Sequence, residues 1–129
     1  MNHMKVMYYL KDTKKEKQIL KLCSQLGIQT RKIKEKDVNV SLSTLAGISG
    51  AISMSQVEKA PKDYEIPPLL IFVGMTEKKL DEFLTEYKKR GIEPTHLKAI
   101  VTIHNMKWSV SGLIAELKKE QIAIMMRGR

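Results

Sequence analysis

Apolar residues gather in three short runs along the chain, at 6–10, 69–73 and 99–103. Each run is five residues long and almost uninterrupted by polar side chains, which is typical of strands buried inside a sheet. A fourth segment, 30–36, is polar and charged except for Ile33. That pattern indicates a short edge strand guarded by charge. The chain therefore predicts four β-strands.

Apolar residues spaced three and four apart predict a helix after three of these strands. The residues that form the three apolar stripes are Ile19, Leu22, Cys23 and Leu26; Leu80, Phe83, Leu84 and Tyr87; and Val110, Leu113, Ile114 and Leu117. Asp12 or Thr13, Thr76 and Ser109 are suitable N-caps for these helices. A shorter helix, with Asp37 or Asn39 as its N-cap, is expected around Leu42, Leu45 and Ala46.

The elements fall into two strand–helix–strand halves, about 1–36 and 67–120, joined by the short helix and an irregular linker within 37–66. We expect one domain over 1–129. Strands without alternation need cover on both faces, which favours a small doubly wound α/β fold, Rossmann-like or flavodoxin-like. The expected sheet is parallel, with strand order 2-1-3-4 and helices on both faces. A ferredoxin-like α+β fold is the alternative.

In an open parallel sheet, ligands bind beyond the carboxyl ends of the strands. The polar residues expected at that rim are Thr13, Thr76, His104, Asn105, Lys107 and Trp108. Helix N-termini and a lysine favour an anion there. No nucleophile stands beside a base, so no catalytic residues are predicted.

Positive charge is concentrated near the N-terminus. The chain carries a net charge of +9, and residues 1–36 hold ten bases and three acids, a net charge of +7. A basic face of this kind attracts phosphate-rich partners. The residues that would bind nucleic acid are Lys14, Lys15, Lys17, Arg31 and Lys32. The rival interpretation is a solvated helix face beside a guarded sheet edge.

Several classes of protein are disfavoured by what the sequence lacks. A single cysteine and three scattered histidines predict neither a disulfide nor a metal site. Neither a dinucleotide-binding nor a phosphate-binding glycine motif is present, so no cofactor is expected. No apolar run approaches the ~20 residues of a membrane span. The start leads directly into a strand, so we expect no signal peptide and a cytoplasmic location.

Three segments resemble a known family: Pro68 to Gly74, Leu80 to Leu84, and above all Lys98 to Trp108. They are similar to the small bacterial proteins of the domain of unknown function 3783 family, over roughly 67–120. The resemblance implies a bacterial cytoplasmic protein and brings no reaction, cofactor or catalytic residue. It draws attention to Lys98, Thr102, Asn105 and Trp108.

These observations favour a non-enzymatic binding or regulatory domain that takes a small anionic ligand or a protein partner at the rim. Nucleic-acid binding through the basic face and a small enzyme using His104 are the alternatives. The apolar C-terminal segment leaves a homodimer open.

Overall fold

The computed structural model describes residues 4–47, residue 60 and residues 64–127, the last six by their backbone alone. The described chain forms two compact units. Unit 1 contains its residues within 1–33 and 67–100, and unit 2 contains those within 34–66 and 101–129. Most of the expected irregular linker, and the side chains of the apolar C-terminal segment, lie outside the described residues.

Within the described chain, strands and helices follow one another in the order β1 (Lys5–Tyr9), α1 (Thr13–Leu26), β2 (Gln29–Lys32), α2 (Leu42–Ala46), β3 (Leu69–Val73), α3 (Glu77–Lys89), β4 (Leu97–Ile100) and α4 (Val110–Arg127). All four strands belong to unit 1, together with α1 and α3. None of the helices described is both long enough and apolar enough to cross a membrane.

The sheet of unit 1 has the predicted strand order, β2-β1-β3-β4, but it is mixed rather than parallel. β1 pairs in parallel with β2 and β3 pairs in parallel with β4, whereas β1 and β3 are antiparallel. The prediction of a purely parallel sheet is therefore wrong. Uninterrupted apolar runs require burial of both faces, and an antiparallel central pair meets that requirement equally well.

The two crossover helices pack on one face of the sheet, not on opposite faces as the parallel winding predicted. Tyr8 of β1 and Phe72 of β3 share a buried cluster with Cys23 of α1 and Phe83 of α3. The reason is the handedness of the two crossovers. The connections β1–α1–β2 and β3–α3–β4 step outward in opposite directions across the sheet, and their first strands are antiparallel. Two right-handed crossovers that differ in both respects place their helices on the same face.

The other face of the central strands is also buried. Met7 of β1 and Ile71 of β3 point away from α1 and α3, because neighbouring side chains alternate between faces. Both have 0% exposure. The predicted two-sided burial is confirmed for these two strands.

The outer strands differ from each other. β2 is polar and exposed at all four positions, as expected of a charged edge. β4 was predicted as a buried strand over 99–103, but it spans Leu97–Ile100 and lies at the opposite edge. Ile100 is 47% exposed and Ile103, beyond the strand, is 81% exposed. An edge position leaves apolar side chains of β4 uncovered.

Local capping follows the sequence closely. The Asp12 carboxylate caps α1, and Thr76 Oγ1 caps α3 by accepting from Lys79 N at 3.1 Å. Gly27 ends α1 in the left-handed conformation, with φ 73°, which a residue without a Cβ adopts most easily. The expected cap of α2 is wrong, because Ser41 fills that role.

Within unit 2, backbone hydrogen bonds join the segment before α2 to the segment before α4. Ser41 and Ser109 form an antiparallel bridge. Val110 N donates to Val40 O at 3.2 Å, and Leu42 N donates to Trp108 O at 2.9 Å. These bonds hold α2 next to the start of α4. The apolar side chains of this unit that are buried include Leu42, Leu45, Val110, Leu113 and Ile114.

Candidate functional site

The mixed sheet separates two residues that the parallel prediction had placed together. Thr13 is the first residue of α1 and follows the carboxyl end of β1, whereas Thr76 follows the carboxyl end of β3. Tyr9, the last residue of β1, pairs with Leu69, the first residue of β3. Thr13 and Thr76 consequently stand at opposite ends of the sheet and cannot line one site.

The remaining predicted rim residues belong to a loop of unit 2. Asn105 Oδ1 accepts from Thr102 N at 2.8 Å, and Trp108 N donates to Asn105 O at 2.9 Å. Ser109 Oγ accepts from Gly112 N at 3.1 Å and so caps the N-terminus of α4. Asn105 and Thr102 thus build the turn that precedes α4. His104, Lys107 and Trp108 are exposed on it, Trp108 at 39%.

The residues predicted for nucleic-acid binding divide into two groups. Lys14, Lys17 and Arg31 are exposed, and Lys32 Nζ lies 3.7 Å from the Glu16 carboxylate. Lys15 differs from all of them, because only 7% of its surface is exposed. Its placement on an open basic face is therefore wrong. It lies four residues before Ile19, one helical turn along the buried stripe of α1, and that spacing was the overlooked sequence signal.

A cavity of about 500 Å³ lies where Lys15 is buried, and we call it the Lys15 cavity. Its lining comes from the carboxyl end of β1 at residues 10–12, the entry to β3 at Pro67 and Pro68, and the entry to β4 at 93–97. These segments meet because β1 is antiparallel to β3 and β4. The same strand reversal that separates Thr13 from Thr76 creates this cavity.

The ammonium group of Lys15 is held by the loop before β4. Lys15 Nζ donates to Pro94 O at 2.9 Å. Among the described residues, no carboxylate oxygen lies within the 4.0 Å of an ion pair with this nitrogen. Desolvation lowers the pKa of Lys15, with a smaller lowering from Lys98, while the charges of Glu93 and Asp12 oppose the shift. The positive charge is thus poorly compensated.

The walls of the cavity are anchored by hydrogen bonds. Asp12 Oδ1 accepts from Lys14 N at 3.0 Å and from Lys15 N at 3.2 Å, so this carboxylate is engaged by the helix end. Tyr87 Oη donates to Glu93 O, and its oxygen lies 3.1 Å from Thr95 Oγ1. These bonds fix α1 and the loop before β4 in place.

Lys98 fastens the same loop from its other end. Its Nζ donates to Thr95 O at 3.1 Å. The resemblance drew attention to Lys98, which is the second residue of β4. The structure adds that this side chain holds the loop that carries the acceptor of Lys15.

The chemistry available at the Lys15 cavity is that of charge recognition. Lys11 and Lys15 contribute positive charge, Asp12 and Glu93 contribute negative charge, and His96 adds an imidazole. No three His, Cys, Asp or Glu side chains of the described residues come together in a way that could hold a metal ion. The one buried thiol lies elsewhere: burial raises the pKa of Cys23 to about 12, which suppresses its nucleophilic form.

Comparison with known proteins identifies one family model that matches part of the chain. Residues 68–124 match the family model described as Domain of unknown function (DUF3783), which confirms the resemblance drawn from the sequence. No curated protein and no solved structure matches the chain. The family description specifies no reaction and no ligand.

Proposed function

We propose that this chain, whose residues 68–124 match the family model described as Domain of unknown function (DUF3783), is a binding domain for a small anionic ligand held in the Lys15 cavity. The observation that carries the proposal is Lys15, a residue only 7% exposed beside a cavity, whose Nζ has no carboxylate oxygen within 4.0 Å among the described residues. Asp12 and Glu93 attract this ammonium from beyond ion-pair distance, and desolvation still lowers the pKa of Lys15. A bound anion would give the ammonium a direct partner in the cavity.

The donor geometry supports an oxyanion such as a carboxylate or a phosphate monoester. An ammonium group has three N–H donors, and Pro94 O takes one of them from Lys15. The remaining donors can reach a ligand oxygen with little cost in side-chain entropy, because burial already restricts the lysine. Lys11 at the cavity rim adds a second positive charge.

The size and charge of the cavity limit the ligand. About 500 Å³ is typical of a site for one small molecule. Asp12 and Glu93 also line it, and their negative charges repel a polyanion. The cavity therefore favours an anion of low charge over a polyphosphate or a nucleic-acid backbone.

Thermal-shift measurements and calorimetry test the proposal with inorganic phosphate, citrate, acetate and a nucleoside monophosphate as probes at constant ionic strength. An anion present at about one hundred times its dissociation constant stabilises the fold by about 2.7 kcal/mol. We expect this stabilisation in the unmodified chain and in Lys17→Met, an exposed neighbour on α1, and its loss in Lys15→Met.

Two results would contradict the proposal. The first is an equal anion-dependent shift in Lys15→Met and in the unmodified chain. The second is affinity that stays constant as pH rises through the lowered pKa of Lys15, because deprotonation removes the charge that the anion needs.

A further inference from the structure

The open edge of β2 has a structure that suits a second strand. β2 lies at one end of the sheet, beside β1, and all four of its residues are exposed. Among the residues that the structure describes, no strand pairs with its outer side. We propose that an acidic peptide in extended conformation binds here by adding a strand to the sheet.

Backbone geometry identifies the groups that would bind the peptide. Gln29 N donates to Met4 O at 3.1 Å, and Ile33 N donates to Tyr8 O at 2.7 Å. In a parallel pair, alternate residues direct both backbone groups to the same neighbour. Residues 29, 31 and 33 therefore bond to β1, and Thr30 and Lys32 direct their N–H and C=O groups outward.

Charge determines which peptide fits. Arg31 and Lys32 are both in the four-residue strand, which contains no acidic residue. Lys32 Nζ lies 3.7 Å from the Glu16 carboxylate of α1, so Arg31 is the strand's main charge for a peptide. A cavity of about 540 Å³ lies beside the edge, with Lys5 and Arg31 among its lining residues and no acidic residue in that lining. Leu20 and the largely buried Ile28 are its apolar lining residues. An extended segment that alternates acidic and apolar residues matches this surface.

Two other occupants of the β2 edge are a second copy of β2 and nucleic acid. The observations favour an acidic peptide over both. A second copy of β2 would bring two further positive charges against Arg31 and Lys32, and like charges across a strand pair are destabilising. Nucleic acid would use the same charges, but the strand offers no aromatic side chain on which bases could stack. The outward backbone groups of Thr30 and Lys32 match a peptide backbone in particular.

Fluorescence anisotropy with a labelled eight-residue peptide that alternates glutamate and valine tests the proposal at about 0.1 M salt, where exposed charges are moderately screened. The first control peptide has lysine in place of glutamate. The second keeps the glutamates but is N-methylated at alternate residues, which removes backbone donors without changing the charge. A single-stranded oligonucleotide of equal charge is the third probe.

Three protein variants accompany these probes. Thr30→Pro removes an outward N–H while leaving the ladder to β1 intact, and edge strands accept proline in such positions. Arg31→Gln removes one charge of the edge. Lys118→Gln is the matched control, because it removes one charge from an exposed lysine on α4. Circular dichroism checks that Thr30→Pro is folded, and the N-methylated peptide tests the same bonds without any substitution.

We expect the acidic peptide to bind and the lysine peptide not to bind. N-methylation should weaken binding by about tenfold or more, since each lost hydrogen bond costs about fivefold. Arg31→Gln should weaken it by about two- to fivefold, while Lys118→Gln and Lys15→Met leave it unchanged. Equal binding of the N-methylated peptide, or binding of the oligonucleotide as tight as that of the acidic peptide, would overturn the proposal.

Discussion

Replacing Lys15 by methionine removes a buried positive charge and keeps an unbranched side chain of similar length. The lysine is 7% exposed, and its Nζ donates to Pro94 O at 2.9 Å. If this lysine were retained for stability, the fold would weaken on its removal. If it is retained for ligand binding, the fold should tolerate methionine or gain from it.

Two opposing contributions determine the size of the effect. Losing a hydrogen bond from a charged donor costs about 1.5–3 kcal/mol when the acceptor stays dry, but Pro94 is exposed and water can replace the donor. Against this stands the partial desolvation of the ammonium, which disfavours its charged form. The lowered pKa of Lys15 indicates that desolvation outweighs the attraction of Glu93 and Asp12.

We therefore expect Lys15→Met to raise the free energy of unfolding by about 1 kcal/mol near neutral pH. For 129 residues, an unfolding entropy of about 2.1 cal/mol/K per residue gives about 0.27 kcal/mol/K in total. The corresponding rise in Tm is about 4 °C. Urea unfolding and calorimetry measure both quantities, with Lys17→Met as the exposed control, expected within about 0.5 kcal/mol of the unmodified chain.

The pH dependence of the difference gives an independent check. The pKa of Lys15 is lowered in the folded state from the ordinary value of 10.5, so the unfolded chain binds more protons between the two values. The unmodified chain must then gain stability relative to Lys15→Met as pH rises through that window. The difference in Tm between Lys15→Met and the unmodified chain should therefore become smaller as pH approaches 10.5.

A loss of more than about 1 kcal/mol in Lys15→Met, with Lys17→Met unchanged, would refute this reasoning. Lys15 would then be a structural cross-link between α1 and the loop before β4. Its burial would no longer require a ligand as an explanation.

Three further predictions test the fold. Phe83→Ala should lower the free energy of unfolding by about 3–5 kcal/mol, because Phe83 is fully buried and its ring lies 5.3 Å from that of Phe72; a loss below about 1 kcal/mol in urea unfolding would contradict the packing. Asp12→Ala should cost about 1 kcal/mol through the lost cap, and Asp12→Asn distinctly less. Cys23 should react with a thiol reagent only after unfolding, since it is fully buried and its pKa is raised to about 12; rapid labelling of the native protein would show otherwise.

Much of the local structure could be predicted from residues close together in the chain. The stripe from Ile19 to Leu26 predicted α1, and the caps at Asp12 and Thr76 are confirmed. The polar edge strand around Arg31 is confirmed as well. Helix periodicity and capping depend on groups within a few residues of one another, so they can be read without knowledge of the fold.

The site was harder to predict, because it depends on which strand ends meet. The expected rim joined Thr13 to Thr76, and the antiparallel pairing of β1 with β3 places them at opposite ends of the sheet. Lys15 was assigned to an exposed face, although its spacing to Ile19 placed it on the buried stripe. A lysine on such a stripe is usually ambiguous, since its long side chain can reach solvent.

By itself the sequence determined the helices and the burial of both faces of β1 and β3, since these follow from periodicity and from uninterrupted apolar runs. The predicted strand order is also observed, although the parallel winding from which it was derived is not. Only the tertiary structure decided the direction of β3 relative to β1, because the long connection between β2 and β3 can return the chain in either sense. That direction brings the end of β1 to the entries of β3 and β4, and so encloses Lys15.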